Sequence, residues 1–211
     1  MKKSTFGRST TIGFCAAFLT LALGTHAIAQ SGKSGNVKTE IVEVKNFAGT
    51  AVIPYAGASL SRNNDGVFGT ISTSGLTPGH VVTLWWAIFN NPENCATPGC
   101  APSDLNNPDV NGSVQYGGGA IVGAGGRADF SGYLAVGDNT GFEILPPFPN
   151  MPNPSPGIVN AKRAEIHLVI RTHGAASADP GILNQQLTTF TGGCAGMPSP
   201  CANIQAAQFL R

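Results

Sequence analysis

The run Glu165-Ile166-His167-Leu168-Val169-Ile170-Arg171-Thr172-His173 holds the densest set of side chains able to do chemistry. As a strand, its side chains alternate between faces. Ile166, Leu168 and Ile170 then go inward, and Glu165, His167, Arg171 and His173 share the other side. A carboxylate, an imidazole and a guanidinium in one row are the parts of general acid–base chemistry or of a metal site. The strand rise of about 3.3 Å per residue puts Glu165 and His167 about 6.6 Å apart, within reach of a side-chain hydrogen bond. The same rise puts His167 and His173 about 20 Å apart, so they share one metal only if the chain turns near Thr172. His80, beside a turn in another segment, is the further imidazole that could join them. The plainer alternative is a solvated polar face carrying a salt bridge.

A second group supplies oxygen ligands. Asp104, Asn106, Asp109 and Asn111-Gly112 place oxygen ligands in one long loop, as calcium loops do. Pro108 falls at the fifth loop position and Gln115 at the twelfth, so no EF-hand forms. What remains is an irregular calcium site or a set of Asx turns. Covalent chemistry has less to work with. No G-x-S-x-G occurs, and Gly123-Ala124-Gly125-Gly126-Arg127-Ala128 precedes a strand pattern where a dinucleotide site needs a helix. Gly32-Lys33-Ser34 has Ala27 where a phosphate loop needs its first glycine.

The cysteines form two local groups, Cys95-Ala-Thr-Pro-Gly-Cys100 and Cys194-Ala-Gly-Met-Pro-Ser-Pro-Cys201. Pro and Gly inside each group turn the chain back within bonding reach, so neighbour pairing is expected: Cys95 with Cys100 and Cys194 with Cys201. A four-thiolate zinc site would need the unusual spacings C-x4-C and C-x6-C. Cys15 stands apart, inside an apolar run, and Phe14 before it argues against a lipid anchor.

Elements must position these groups, and first comes the question of compartment. Met1-Lys2-Lys3, Arg8, the apolar run Ile12 to Leu23 and Ala27-Ile28-Ala29 read as a secretory signal peptide over residues 1–29. Residues 30–36 read as a flexible lead-in, and 37–211 as one domain outside the cytoplasm, periplasmic or secreted. Loss of Lys2, Lys3 and Arg8 takes the formal charge of +1 to −2, which argues against a nucleic-acid partner. No second long apolar run offers a membrane span. With 28 Gly, 15 Pro and 11% charged residues, the chain resembles neither a helical bundle nor a coiled coil.

Short apolar stretches alternate with turn signals instead. Strands are expected over 37–45, 58–62, 67–73, 81–90, 112–122, 127–136, 164–172 and 204–210, with one short helix over 182–190. Asn63-Asn64-Asp65-Gly66 marks a hairpin, and 112–122 with 127–136 looks like another. The fold class is all-β: an antiparallel sandwich, jelly-roll or immunoglobulin-like, with two long loops. One loop, 91–111, holds the first cysteine pair. The other, 145–157, contains six prolines and cannot be regular.

The strand Val81 to Phe89 is apolar on both sides, with Trp86 facing one way and Trp85 the other. A two-layer sandwich buries only one side of each sheet. Either the Pro-rich loop, with Phe142, Phe148 and Met151, covers the Trp85 side, or that side meets a ligand. These observations give the expected function: an exported, non-enzymatic β-sandwich with a binding or structural role, its loops making contact with a protein or glycan and no cofactor assigned. One alternative is carbohydrate recognition, with Trp85 or Tyr116 stacking on sugar. The other is a metal-dependent hydrolase on the Glu165, His167, Arg171 face.

Overall fold

A computed structural model describes residues 37–143, 145, 148–196 and 198–211. The expected signal peptide and lead-in lie outside the described residues. Within them, strands β1 (Lys38–Val42), β3 (Gly57–Arg62), β4 (Gly66–Thr73) and β7 (Ala128–Ala135) make one antiparallel sheet, in the order β1-β3-β4-β7. Strands β2 (Lys45–Asn46), β5 (His80–Phe89), β6 (Gly112–Ile121), β8 (Glu165–Ala175) and β9 (Ala202–Phe209) make a second, in the order β2-β9-β8-β5-β6. The sheets pack face to face as a β-sandwich. Helix α1 (Pro180–Thr188) begins two residues earlier than the apolar pattern suggests, because Asp179 caps it and Pro180 fits the first turn. Asp179 accepts from the N–H groups of Gly181 and Ile182.

The β3–β4 hairpin forms where Asn63 marks it. Asn63 Oδ1 accepts from the N–H groups of Asp65 and Gly66 at 2.8 and 2.9 Å and closes the turn. The second expected hairpin does not form. β6 pairs with β5 and β7 pairs with β4, so residues 122–127 cross from one sheet to the other. The alternation in β7 matches β4, whereas the small residues of β6 suit the bulky side chains of β5. With β4→β5 and β7→β8 also crossing, the connectivity is of the Greek-key type found in immunoglobulin-like sandwiches.

Between the sheets lies a core that includes Leu60, Ile71, Leu84, Trp86, Leu168 and Phe209. Trp86, 3% exposed, fits only because glycines face it. A Cβ on Gly69 would stand 2.6 Å from the Trp86 ring, and one on Gly117 would stand 2.8 Å from its Nε1. Arg62 closes one end of this core and is fully buried. Its guanidinium donates to the carbonyls of Ala161, Ala164 and Phe209 and to Glu40, tying β1, β3, β9 and the entry to β8 together. Burial pulls its pKa down to about 10.

Both expected disulfides are present, Cys95–Cys100 and Cys194–Cys201. Such bonds fit a periplasmic or extracellular protein. No helix among the described residues is long and apolar enough to cross a membrane.

Candidate functional site

The outer face of the five-stranded sheet is not bare. Trp85, Ala87, Phe89, Val114, Val169 and Ala206 project from it into a second apolar core. Three segments roof them: Cys100, Leu105 and Val110 from 91–111, Leu145, Phe148 and Met151 from the Pro-rich stretch, and Phe190 from beyond α1. The expected lid is therefore in place. Trp85 is 1% exposed and meets Tyr116 and Phe190 edge-on, at centroid distances of 5.6 and 5.2 Å. This corrects the assignment of Trp85 as a sugar-stacking side chain, because its strand is apolar on both faces and both are covered. The roof leaves a cavity of about 70 Å³ bordered by Trp85, Phe148, Phe190 and His167. A dry cavity that holds benzene measures about 150 Å³, so this space is too small for a ring-sized guest.

The polar row of β8 lies under the same roof, which corrects the expectation of a solvated face. Glu165 and His167 are both buried. Glu165 Oε1 accepts from the Cys100 N–H and from His167 Nε2, each at 2.7 Å. The carboxylate thereby fixes the proton on Nε2 and anchors the first disulfide loop to the sheet. The His167 ring lies against Phe89 at 4.9 Å. This pair has the form of an oriented base, and among the described residues the cavity that His167 borders is lined by no Ser, Thr or Cys. Arg171 is elsewhere engaged. Its Nε donates to Phe190 O at 2.8 Å, its Nη1 to Asn203 Oδ1 at 3.0 Å, and its plane covers the Phe190 ring at 3.9 Å. Burial pushes its pKa down.

His173 serves Trp85. Its Nδ1 is 2.7 Å from Gly192 O, and a carbonyl only accepts, so Nδ1 carries the proton. Nε2 then accepts from Thr83 Oγ1 at 2.9 Å, and Thr83 Oγ1 in turn accepts from Trp85 Nε1 at 2.7 Å. Burial pushes the His173 pKa down and keeps the ring neutral. His80 opposes Ala175 whereas His167 opposes Ala87, so the two imidazoles sit at opposite ends of the β5–β8 ladder. They do not converge on one metal.

The calcium candidates close their own loop. Asp104 accepts from the N–H groups of Ala96 and Ala101 through its two oxygens. Asn106 Oδ1 accepts from the Asn150 N–H, joining the two long loops. Asp109 sits in a short 3-10 turn, Pro108–Val110, and its carbonyl accepts from the side chains of Asn91 and Asn94. Asn111 ends that turn in the left-handed region, at φ 55°. Asn tolerates that conformation, which explains its place without a cation.

Tyr116 is half-buried. Its hydroxyl donates to Leu187 O at 2.6 Å, and burial pushes its pKa up. Glu143 escapes notice in the sequence, yet its half-buried carboxylate accepts from the Phe190 N–H, and burial pushes its pKa up. The outer face of the four-stranded sheet is bare by contrast. There Phe68 and Tyr133, 45% and 55% exposed, stand opposite one another beside the hydroxyl pairs Thr39–Ser61 and Ser59–Thr70. No protein-family model matches the chain, and no curated protein matches it.

Proposed function

We propose that the protein is an exported, non-enzymatic β-sandwich that works by binding or as a structural part, with the loop layer of residues 91–111 and 145–157 as its contact surface. The observation that carries this reading is the second core. The loops rest on buried side chains of their own, and the Cys95–Cys100 disulfide pins the first of them. Loops fixed in this way lose little entropy when they meet a partner, which is the usual advantage of a preorganised recognition surface. A protein partner suits it best, because the cavity beneath is too small to be the receptor.

Carbohydrate recognition is the second reading, and one observation favours it. Phe68 and Tyr133 offer an exposed aromatic pair among hydroxyl groups on the outer face of the four-stranded sheet. The sugar would then meet Tyr133 rather than Trp85. The hydrolase reading rests on the Glu165–His167 pair alone.

Photo-crosslinking in the exporting cell separates the first two. A benzophenone amino acid is placed at Thr97 or Asn150 in the loop layer, and at Ser131 on the bare sheet; all three positions are exposed. The loop reading expects a discrete protein adduct from Thr97 and Asn150 and none from Ser131. Adducts from Ser131 alone would overturn it. Glycan-array binding lost in Tyr133→Ala would establish the carbohydrate reading in its place.

A further inference from the structure

The two disulfides differ in what stands beside them. Cys95 and Cys100 adjoin Asp104, whose oxygens already serve two backbone N–H groups. Cys194 and Cys201 adjoin an imidazole. His173 Nδ1 lies 4.0 Å from Cys194 Sγ and 3.7 Å from Cys201 Sγ. In a metal site with bonds of about 2.3 Å to sulfur and about 2.0 Å to nitrogen, trigonal or tetrahedral angles put S and N about 3.5–3.8 Å apart. The observed separations are within a few tenths of an ångström of that. The sulfurs must part once reduced, and the Gly192 carbonyl, which takes the Nδ1–H bond at 2.7 Å, must turn aside to free that nitrogen for the ion. Both cysteines are half-buried, so a reductant can reach them.

We propose that Cys194, Cys201 and His173, once the disulfide is reduced, form a three-ligand site for a thiophilic d10 ion, Cu⁺ ahead of Zn²⁺. A dithiol delivers two electrons and two protons: the S–S bond breaks, two thiols form, and the dithiol leaves as its own disulfide. The entering ion displaces both thiol protons to solvent. The proton on His173 Nδ1 is exchanged through solvent for one on Nε2. Nε2 then donates to Thr83 Oγ1, whose second lone pair still accepts from Trp85. Arg171 Nη2 is 3.9 Å from Cys194 Sγ and places a positive charge at the site. Two thiolates with Cu⁺ carry a net negative charge that the guanidinium offsets, and soft thiolates select Cu⁺. Two thiolates with Zn²⁺ are already neutral.

The test titrates Cu⁺, and separately Zn²⁺, against a competing chelator. The proteins are wild type, Cys95→Ser/Cys100→Ser and Cys194→Ala/Cys201→Ala, each with and without a phosphine reductant. Reduced wild type and the 95/100 variant should bind one equivalent at least tenfold more tightly than the 194/201 variant and than oxidised protein. X-ray absorption of the bound ion should show two sulfurs and one nitrogen. Equal binding by the 194/201 variant, coordination without nitrogen, or no binding to reduced wild type would overturn the proposal. So would loss of the fold on reduction that one equivalent of metal fails to reverse.

Discussion

The two sheets treat their outer faces in opposite ways, and the strands explain why. β4 alternates: Val67, Ile71 and Thr73 are buried, whereas Phe68 and Ser72 face out. Its sheet is finished once one face is covered. β5 does not alternate, and every residue from Val81 to Phe89 is buried. A strand apolar on both sides needs a second layer, and here loops supply it. Three irregular segments, one of them closed by the Cys95–Cys100 disulfide, do for the five-stranded sheet what helices do in layered α/β proteins. Irregular backbone can cover a sheet only if its polar groups find partners. The buried Glu165 and the Asp104 caps meet part of that need.

The largest test of this contrast removes an indole from the covered face. Trp85→Ala should cost about 3–5 kcal/mol by denaturant unfolding, as large-to-small changes in well-packed cores do. Tyr133→Ala on the bare face should cost less than about 1 kcal/mol. Equal costs would abolish the distinction. Next in size is the clamp. Cys95→Ser/Cys100→Ser should cost about 2 kcal/mol, since the bond closes only a short loop. Hydrogen exchange should quicken in 91–111 and leave β3 and β4 unchanged.

The smallest effect is a pH dependence. Burial holds the Glu143 carboxyl above its ordinary value of 4.5, so the protonated form favours the fold. That contribution is complete below the ordinary value and is lost as pH rises through the folded value. Glu143→Gln keeps an acceptor for the Phe190 N–H without the charge. The variant should therefore gain on wild type as pH rises from acid to neutral, measured as the difference in unfolding midpoint. A difference independent of pH would show that burial does not govern this carboxyl.

Much of the fold is legible in the chain because its signals are local. The alternation in β4, the Asn63 turn, the two-faced run of β5 and the cysteine groups each declare themselves within about ten residues. The β5 run even demands a cover and points to Phe148 and Met151 as part of it. What stays hidden depends on distant partners. Nothing near Arg62 says that its guanidinium will meet carbonyls a hundred residues away, and Gly69 and Gly117 pass as ordinary strand positions until Trp86 lies against them. The break between β6 and β7 reads as a hairpin because turn residues do not reveal which sheet the next strand joins. The polar row of β8 shows the same limit. Its side chains were identifiable, and the 2.7 Å bond of Glu165 to His167 is the contact their spacing allows. Their burial depends on loops whose own sequence carries no period.

Indole fluorescence tests the covered face most directly. Both tryptophans of the chain lie in apolar surroundings, Trp86 between the sheets and Trp85 beneath the loops. Wild-type protein should emit at the short wavelengths of dry indole, with almost no fraction quenched by iodide, an ion that reaches only exposed rings. Trp86→Phe, which leaves Trp85 as the sole emitter, should behave in the same way. Red-shifted emission from that variant with ready iodide quenching would mean that Trp85 faces water and that the loops do not roof the sheet.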